Sequence, residues 1–298
     1  MLQWVNGTYG LFTRSQHTKP IWRTYVPEEA ISHPFLMHGI LALSALHIAC
    51  LRDPRTLADA GRDYLQIAIS HQDRALALFR EQLGDINYSN GKAMFAFASI
   101  TVLYAFGFPR TPEPGSTAVG DLLQAFVLTR GVQHILNQAM DTIFEDRIWA
   151  PLRDLNDYEP TLPFEAQVAI DRLNKANESC ARQDPIFHDS FLYEKTINNL
   201  ADLMAAVYAG LGFALACRWV IRLEPAFMDR IRDRRPLALA ILGHFCALFP
   251  RFQDVWFGIE WGTRVVREIW YALDEYWRPL VNGCMVEVFG EQYLGIER

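Results

Sequence analysis

Three histidines and one acid have the side-chain types and settings that could carry chemistry. His38, His47 and His244 each stand in a run of apolar residues. There an imidazole can move a proton, ligate a metal, or make one hydrogen bond that completes a core, and the last is the commonest use. Glu260 lies between Ile259 and Trp261. An acid desolvated among such neighbours has a raised pKa, the condition that makes a general acid. The competing reading puts Glu260 in the first turn of a helix, near its positive end and paired with Arg264 four residues on. No carboxylate or second histidine recurs three or four residues from any of the three histidines, so no metal ligands are assigned. At ~100° per residue, His38 and His47 point in opposite directions on one helix, which removes a two-histidine metal site there.

Other chemistries find no footing. The chain has no Gly-rich phosphate loop, no G-x-S-x-G elbow and no H-E-x-x-H, so a kinase, a Rossmann dehydrogenase and a standard hydrolase are unsupported, and no cofactor is expected. Cys50, Cys180, Cys217, Cys246 and Cys284 are an odd set of widely spaced cysteines with no C-x-x-C pair. That pattern fits a reducing compartment and neither a disulfide framework nor a zinc knuckle. The N-terminus lacks the basic start and apolar run of a signal peptide, so an intracellular place, cytoplasmic or nuclear, is expected.

The elements that must position these residues read as helices throughout. Apolar residues recur at helical spacing and no period-2 run is bounded by hairpin turns, so the fold class is all-α. Ser32, His33 and Pro34 form a helix start with Ser32 as cap. The helix that follows, PFLMHGILALSALHIAC, is apolar nearly all round and belongs at the centre of the protein. From Leu57 to Leu83 the spacing gives an amphipathic helix with Leu65, Ile69, Leu76, Phe79 and Leu83 on one stripe, broken by Gln72. Asn87, Asn90 and Gly91 mark a turn. Pro109 to Gly120 reads as a loop, Asp121 to Met140 as a helix, and Pro151 to Pro163 as an irregular connection. A long helical region runs from Ser190 to Leu223, a helix from Pro236 to Phe249, stopped by Pro250, and a last helix from Trp261 to Trp277. Gln253-Asp254, Asp274-Glu275 and the run Arg230 to Arg235 read as solvated faces or helix ends.

The whole chain sets the frame. Its 298 residues are 51% hydrophobic with a net charge of -6, enough apolar matter for a large core and the wrong charge for a wide grip on phosphate backbones. No loop has the length or low complexity of an interdomain linker, so residues 1–298 are expected to form a single domain. The apolar runs Ala93 to Phe108 and Leu203 to Cys217 fall short of the ~20 residues needed to cross a bilayer and read as buried helices. No membrane span is expected.

Four segments carry a resemblance. HPFLMHGILALSALH (His33 to His47), FVLTRGVQHIL (Phe126 to Leu136), RRPLALAILGHFCALFPRF (Arg234 to Phe252) and WFGIEWGTRVVREIWYALDEYW (Trp256 to Trp277) resemble, in order and spacing, the ligand-sensing regulatory domain of fungal binuclear-zinc-cluster transcription factors of the sterol-uptake-control type. The likeness covers about Trp22 to Trp277. It implies an all-helical domain whose C-terminal helices surround a lipophilic pocket, with His38, Phe213, His244, Trp256 and Trp261 as ligand contacts. Two departures stand out. The six-cysteine cluster and basic linker that precede this region in the family are missing, and Glu260 puts an acid among aromatics where the family favours a basic or neutral residue.

Two functions follow. The first is a binding domain for a sterol or terpenoid-like molecule, with no direct nucleic-acid contact of its own and a second copy of the chain as a candidate partner. The second is an enzyme on the same scaffold that cyclises or isomerises an apolar metabolite, with Glu260 or a histidine for proton transfer.

Overall fold

The computed structural model describes residues 1–13, 16–51, 58–108, 115–152, 161–252 and 255–290. Leu57, residues 109–114 of the expected loop, residues 153–160 of the expected connection, and Gln253-Asp254 lie outside them. The described residues form thirteen α-helices joined by short 3-10 and π turns, with no strand. The all-α reading is borne out. Contacts group the chain into two compact units, one made of Met1–Thr111 and Ala125–Tyr158, the other of Pro112–Gln124 and Glu159–Arg298.

The first unit is organised around an apolar helix. Helices α1 (Leu2–Asn6) and α2 (Val26–Ser32) lead into α3 (Pro34–Leu51), which packs against α4 (Ala58–Gln82) and α5 (Gly91–Gly107). Helix α3 has no polar face to turn outward, and ten of its residues from Phe35 to His47 are buried. Among the described residues it alone is long and apolar enough to cross a membrane, and over half of it is buried inside the protein. Phe35, Phe79 and Phe97 meet ring to ring at 4.8–5.7 Å. Gly39 lets the Phe97 ring lie against the α3 backbone, where a Cβ would come within 2.6 Å of it.

Two expectations are corrected here. Ser32 closes α2, while His33, in an extended conformation, supplies the carbonyl that accepts from Leu36 and Met37 and so occupies the position before α3. On α4 the buried stripe is Ala68, Gln72, Ala75 and Phe79, so Gln72 sits at its centre, and Leu83 is exposed. Small alanines let α4 approach α3 closely, a spacing that a search for large apolar residues passes over.

Helix α6 (Ala118–Glu145) gives its first turns, through Gln124, to the second unit and the remainder to the first. It starts three residues ahead of Asp121 because the Ala118-Val119-Gly120 stretch continues the ladder, with Asp121 donating its N–H to the Thr117 carbonyl at 2.9 Å.

The second unit continues with α7 (Phe164–Gln183), α8 (Ser190–Tyr208), α9 (Ala214–Arg222), α10 (Pro225–Arg232), α11 (Pro236–Ala247), α12 (Gly258–Ala272) and α13 (Asn282–Phe289). Helix α7 was not read from the sequence, although Ala166, Ile170, Leu173 and Asn177, all buried, fall at i, i+4, i+7 and i+11 on one face. The region from Ser190 to Leu223 is two helices: Gly210, at φ +82°, ends the first. The same break divides the apolar run Leu203 to Cys217 between α8 and α9. The last expected helix starts at Gly258 and stops at Ala272, because the Asp274 carboxylate accepts from the N–H groups of Tyr276 and Trp277 and closes a turn, and α13 follows it. Cys246 on α11 and Cys284 on α13 are both buried as free thiols, and burial pushes both well above the usual thiol range.

Candidate functional site

The residues singled out from the sequence fall in both units. His38 is in the first, half-buried on α3, where its Nδ1 lies 2.7 Å from Nδ1 of His71 on α4. One ring must donate and the other accept, so the pair holds one proton between those atoms. On the same helix His47 shares a 2.9 Å hydrogen bond with the Thr8 hydroxyl.

The other five are in the second unit. Pro236 opens α11 in its first turn, and the helix is apolar on every side except at His244. Its Nε2 donates to the Leu280 carbonyl at 2.8 Å, which fixes the tautomer and leaves Nδ1 unprotonated. Trp219 stacks on Phe245 at 4.3 Å, and Phe245 meets Phe249 edge-on at 5.3 Å. Phe213, just ahead of α9, places its ring edge-on to Phe249, Phe252 and Phe257 at 5.1–5.7 Å. Trp256 meets Phe257 at 5.5 Å and is half-buried, so the cluster reaches the surface there. Trp261 is buried, with the Arg264 guanidinium 6.0 Å from its ring.

Glu260 is placed as the helix-start reading had it. It lies in the first turn of α12, its side chain is 56% exposed, and its carboxylate is 3.6 Å from Arg264. Arg264 also donates to Asp121 at 3.0 Å.

The sequence reading missed a cleft in the second unit. It has a volume of about 170 Å³ and lies where the end of α7, the start of α8 and the turn from α10 into α11 meet Trp277. His188 and Tyr193 stack as one wall, centroids 4.8 Å apart and planes 7° from parallel. The Nε2 of His188 donates to Asn177 Oδ1 at 2.6 Å, and Asn177 Nδ2 donates to the Ser190 carbonyl at 2.9 Å. Arg230, Arg235, Leu237 and Trp277 are also in the lining. The run Arg230 to Arg235 is thus more than a solvated face: Arg232 pairs with Asp229 and Arg234 with Glu268, while the first and last arginines line the cleft. Among the described residues no group of three or more His, Cys, Asp or Glu side chains is placed to hold a metal.

Burial gives the histidines a shared pH dependence. His38, His47, His188 and His244 all have pKa values below the ordinary ~6.5, desolvation being the largest cause in each. His71 and Arg74 push His38 further down. Asp184 and Asp189 oppose the shift at His188, and the Leu280 carbonyl opposes it at His244. The fold keeps these rings neutral while the unfolded chain takes up protons, so their contribution is whole above pH ~6.5 and is lost as pH falls from there through the lower folded values. Each unit of depression corresponds to ~1.4 kcal/mol when fully expressed. The melting temperature is expected to drop between pH 7.5 and 5.5, with a shallower slope for His244→Gln. A flat profile in the unmodified chain contradicts this.

Comparison with known proteins adds a likeness to these features. Residues 3–125 match the family described as fungal specific transcription factor domain. The chain is 38% identical over 99 residues to sterol uptake control protein 2 of Candida albicans, covering 32% of this chain and 13% of the relative. To sterol uptake control protein 2 of Saccharomyces cerevisiae it is 41% identical over 83 residues, 28% of this chain and 8% of the relative. A Zn(2)-C6 fungal-type transcription factor of Gibberella zeae is 23% identical over 293 residues, 91% of this chain and 57% of the relative. The chain therefore spans well under two thirds of each of these relatives. No solved structure matches it. The resemblance drawn from the sequence is matched by these comparisons: over residues 3–125 the chain is similar to the fungal specific transcription factor domain.

Proposed function

We propose that residues 1–298 act as one regulatory domain of a fungal transcription factor and respond to a lipophilic small molecule of sterol or terpenoid kind. The observation that carries this reading is the aromatic cluster from buried Phe213 through Phe257 to half-buried Trp256. The imidazole on α11 is neutral with its Nε2 already bonded to Leu280, so it brings no charge to an apolar ligand. The names of two relatives, sterol uptake control proteins, point to the same ligand class. On this reading Phe213, His244, Trp256 and Trp261, all of the second unit, are the ligand contacts. The domain works inside the cell, in nucleus or cytoplasm, and its charge of -6 leaves DNA contact to another module or partner, a second copy of the chain among them.

The test is titration of the full chain with ergosterol and with farnesol, read by tryptophan emission and by melting temperature. A native-state ligand at a hundred times its Kd adds ~2.7 kcal/mol to stability, so a saturable emission change with a higher melting temperature is expected. Trp256→Ala, at a half-buried position, is expected to weaken binding about tenfold with the fold intact. Glu260→Gln should bind as the parent does, since that acid is exposed and paired with Arg264. No response to either probe overturns the proposal.

A further inference from the structure

The cleft beside Tyr193 shares no lining residue with the aromatic cluster around Phe213, and its chemistry is different. Two features mark it as built for a ligand. Tyr193 is 3% exposed, yet its hydroxyl makes no hydrogen bond among the described residues. The hydroxyl oxygen is not sealed from solvent, and it opens on the cleft that the residue lines. A hydroxyl on a side chain this deeply set normally finds a partner, and with none supplied among the described residues, water or a ligand in the cleft takes that place. The second feature is charge. Arg232, Arg234, Arg251 and Arg264 of the same unit all pair with carboxylates. Arg230 and Arg235, which face the cleft, have no carboxylate within 4.0 Å among the described residues.

The lining selects among anions. Asp184 also borders the cleft, its Oδ1 accepting from the Phe187 N–H at 3.2 Å. Among the lining side chains, two arginines against one aspartate leave one positive charge, because burial holds His188 neutral and keeps Tyr193 protonated with a pKa of about 12, while Asp189, outside the lining, accepts from the Leu192 N–H at the start of α8. One net charge is balanced by a monoanion. Much of the remaining wall is the stacked rings of His188 and Tyr193, with Phe187, Leu237 and Trp277, beside the polar Gln183, and the rings suit a flat apolar body. At about 170 Å³ the cleft is close to the ~150 Å³ of a cavity known to hold benzene. It lies below the ~300–1,000 Å³ of sites for drug-sized ligands, so a single ring fits and a tetracyclic sterol does not.

We propose that this cleft binds a small aromatic monocarboxylate, with its ring against the Tyr193 wall and its carboxylate between Arg230 and Arg235, accepting from the Tyr193 hydroxyl. Arginine suits that task because its planar fork matches a carboxylate. The proposal stands apart from the lipophile reading, since it concerns a different set of residues.

The test uses the full chain and benzoate, by isothermal titration and by broadening of the benzoate proton resonances, with benzamide and inorganic phosphate as comparison ligands. Benzoate is expected to bind saturably, and the other two at least about tenfold more weakly, because one lacks the charge and the other the ring. Arg230→Gln and Arg235→Gln are each expected to lower benzoate affinity about tenfold. Tyr193→Phe, which keeps the stack on His188, should lower it about three- to tenfold with an unchanged melting temperature. Ergosterol should not compete with benzoate. The proposal is overturned by an absence of benzoate binding, by benzamide or phosphate binding equally well, or by affinity that none of the three variants changes.

Discussion

Phe245→Ala is expected to remove ~3–5 kcal/mol of stability, the usual range for a large aromatic cut out of a core. The ring is 1% exposed, with Trp219 stacked on one side and Phe249 edge-on to it. Its removal therefore leaves a void walled by two other rings. Those walls have little room to collapse, because Phe249 is itself held against Phe213 and Phe252. Against total stabilities of ~5–15 kcal/mol for ordinary domains, such a loss brings the second unit close to unfolding. Urea melts of the variant should show it as a large fall in midpoint, and Trp219, losing its stacking partner, should report a change in emission. Phe245→Leu keeps part of the volume and is expected to cost less. A Phe245→Ala loss below ~1 kcal/mol means that the cluster is far softer than its ring geometry indicates.

Gly258→Ala is the second large effect, and it acts through the backbone. A Cβ at Gly258 would stand 2.5 Å from the carbonyl oxygen of Phe249. That oxygen already accepts from the Phe252 N–H at 3.1 Å, so it cannot swing aside without giving up a bond. Overpacking of this kind costs ~1–3 kcal/mol, occasionally more, and it outweighs the ~1 kcal/mol by which alanine is the better helix former. Gly283 is the matched comparison. It lies on α13 with nothing within 4 Å of its would-be Cβ, so Gly283→Ala should raise stability by ~0.5–1 kcal/mol. Thermal melts of the two variants should move in opposite directions, and a stabilising Gly258→Ala rules out the close approach.

These two positions also mark how far the sequence could be read. Helical periodicity and proline placement revealed the fold class, the buried course of α3 and the start of α11 at Pro236, since each depends on residues near one another in the chain. Glu260 could be weighed from its neighbours as well, and its pairing with Arg264 was one of the two readings. The misses have another origin. The stripe on α4 runs through Ala68, Gln72 and Ala75 because α3 comes close, and closeness belongs to a pair of helices. The break at Gly210 turns on a positive φ that a run of small apolar residues does not announce. The cleft draws Tyr193, Arg230 and Trp277 from stretches some forty residues apart, and only packing shows which arginines of the Arg230 to Arg235 run find carboxylates. His38 was read alone, because its partner His71 lies 33 residues away.

The two buried thiols make the second unit its own clock. Cys246 and Cys284 lie on α11 and α13, two helices in contact, and a modifying reagent reaches them only when those helices part. When reclosing outpaces modification, the labelling rate at each sulfur reports the free energy of that opening directly, site by site. Cys50, Cys180 and Cys217, all half-buried, serve in the same experiment as fast internal references. The chain thus carries a native, mutation-free record of whether a ligand tightens α11 against α13, legible in a mass spectrum of the labelled peptides.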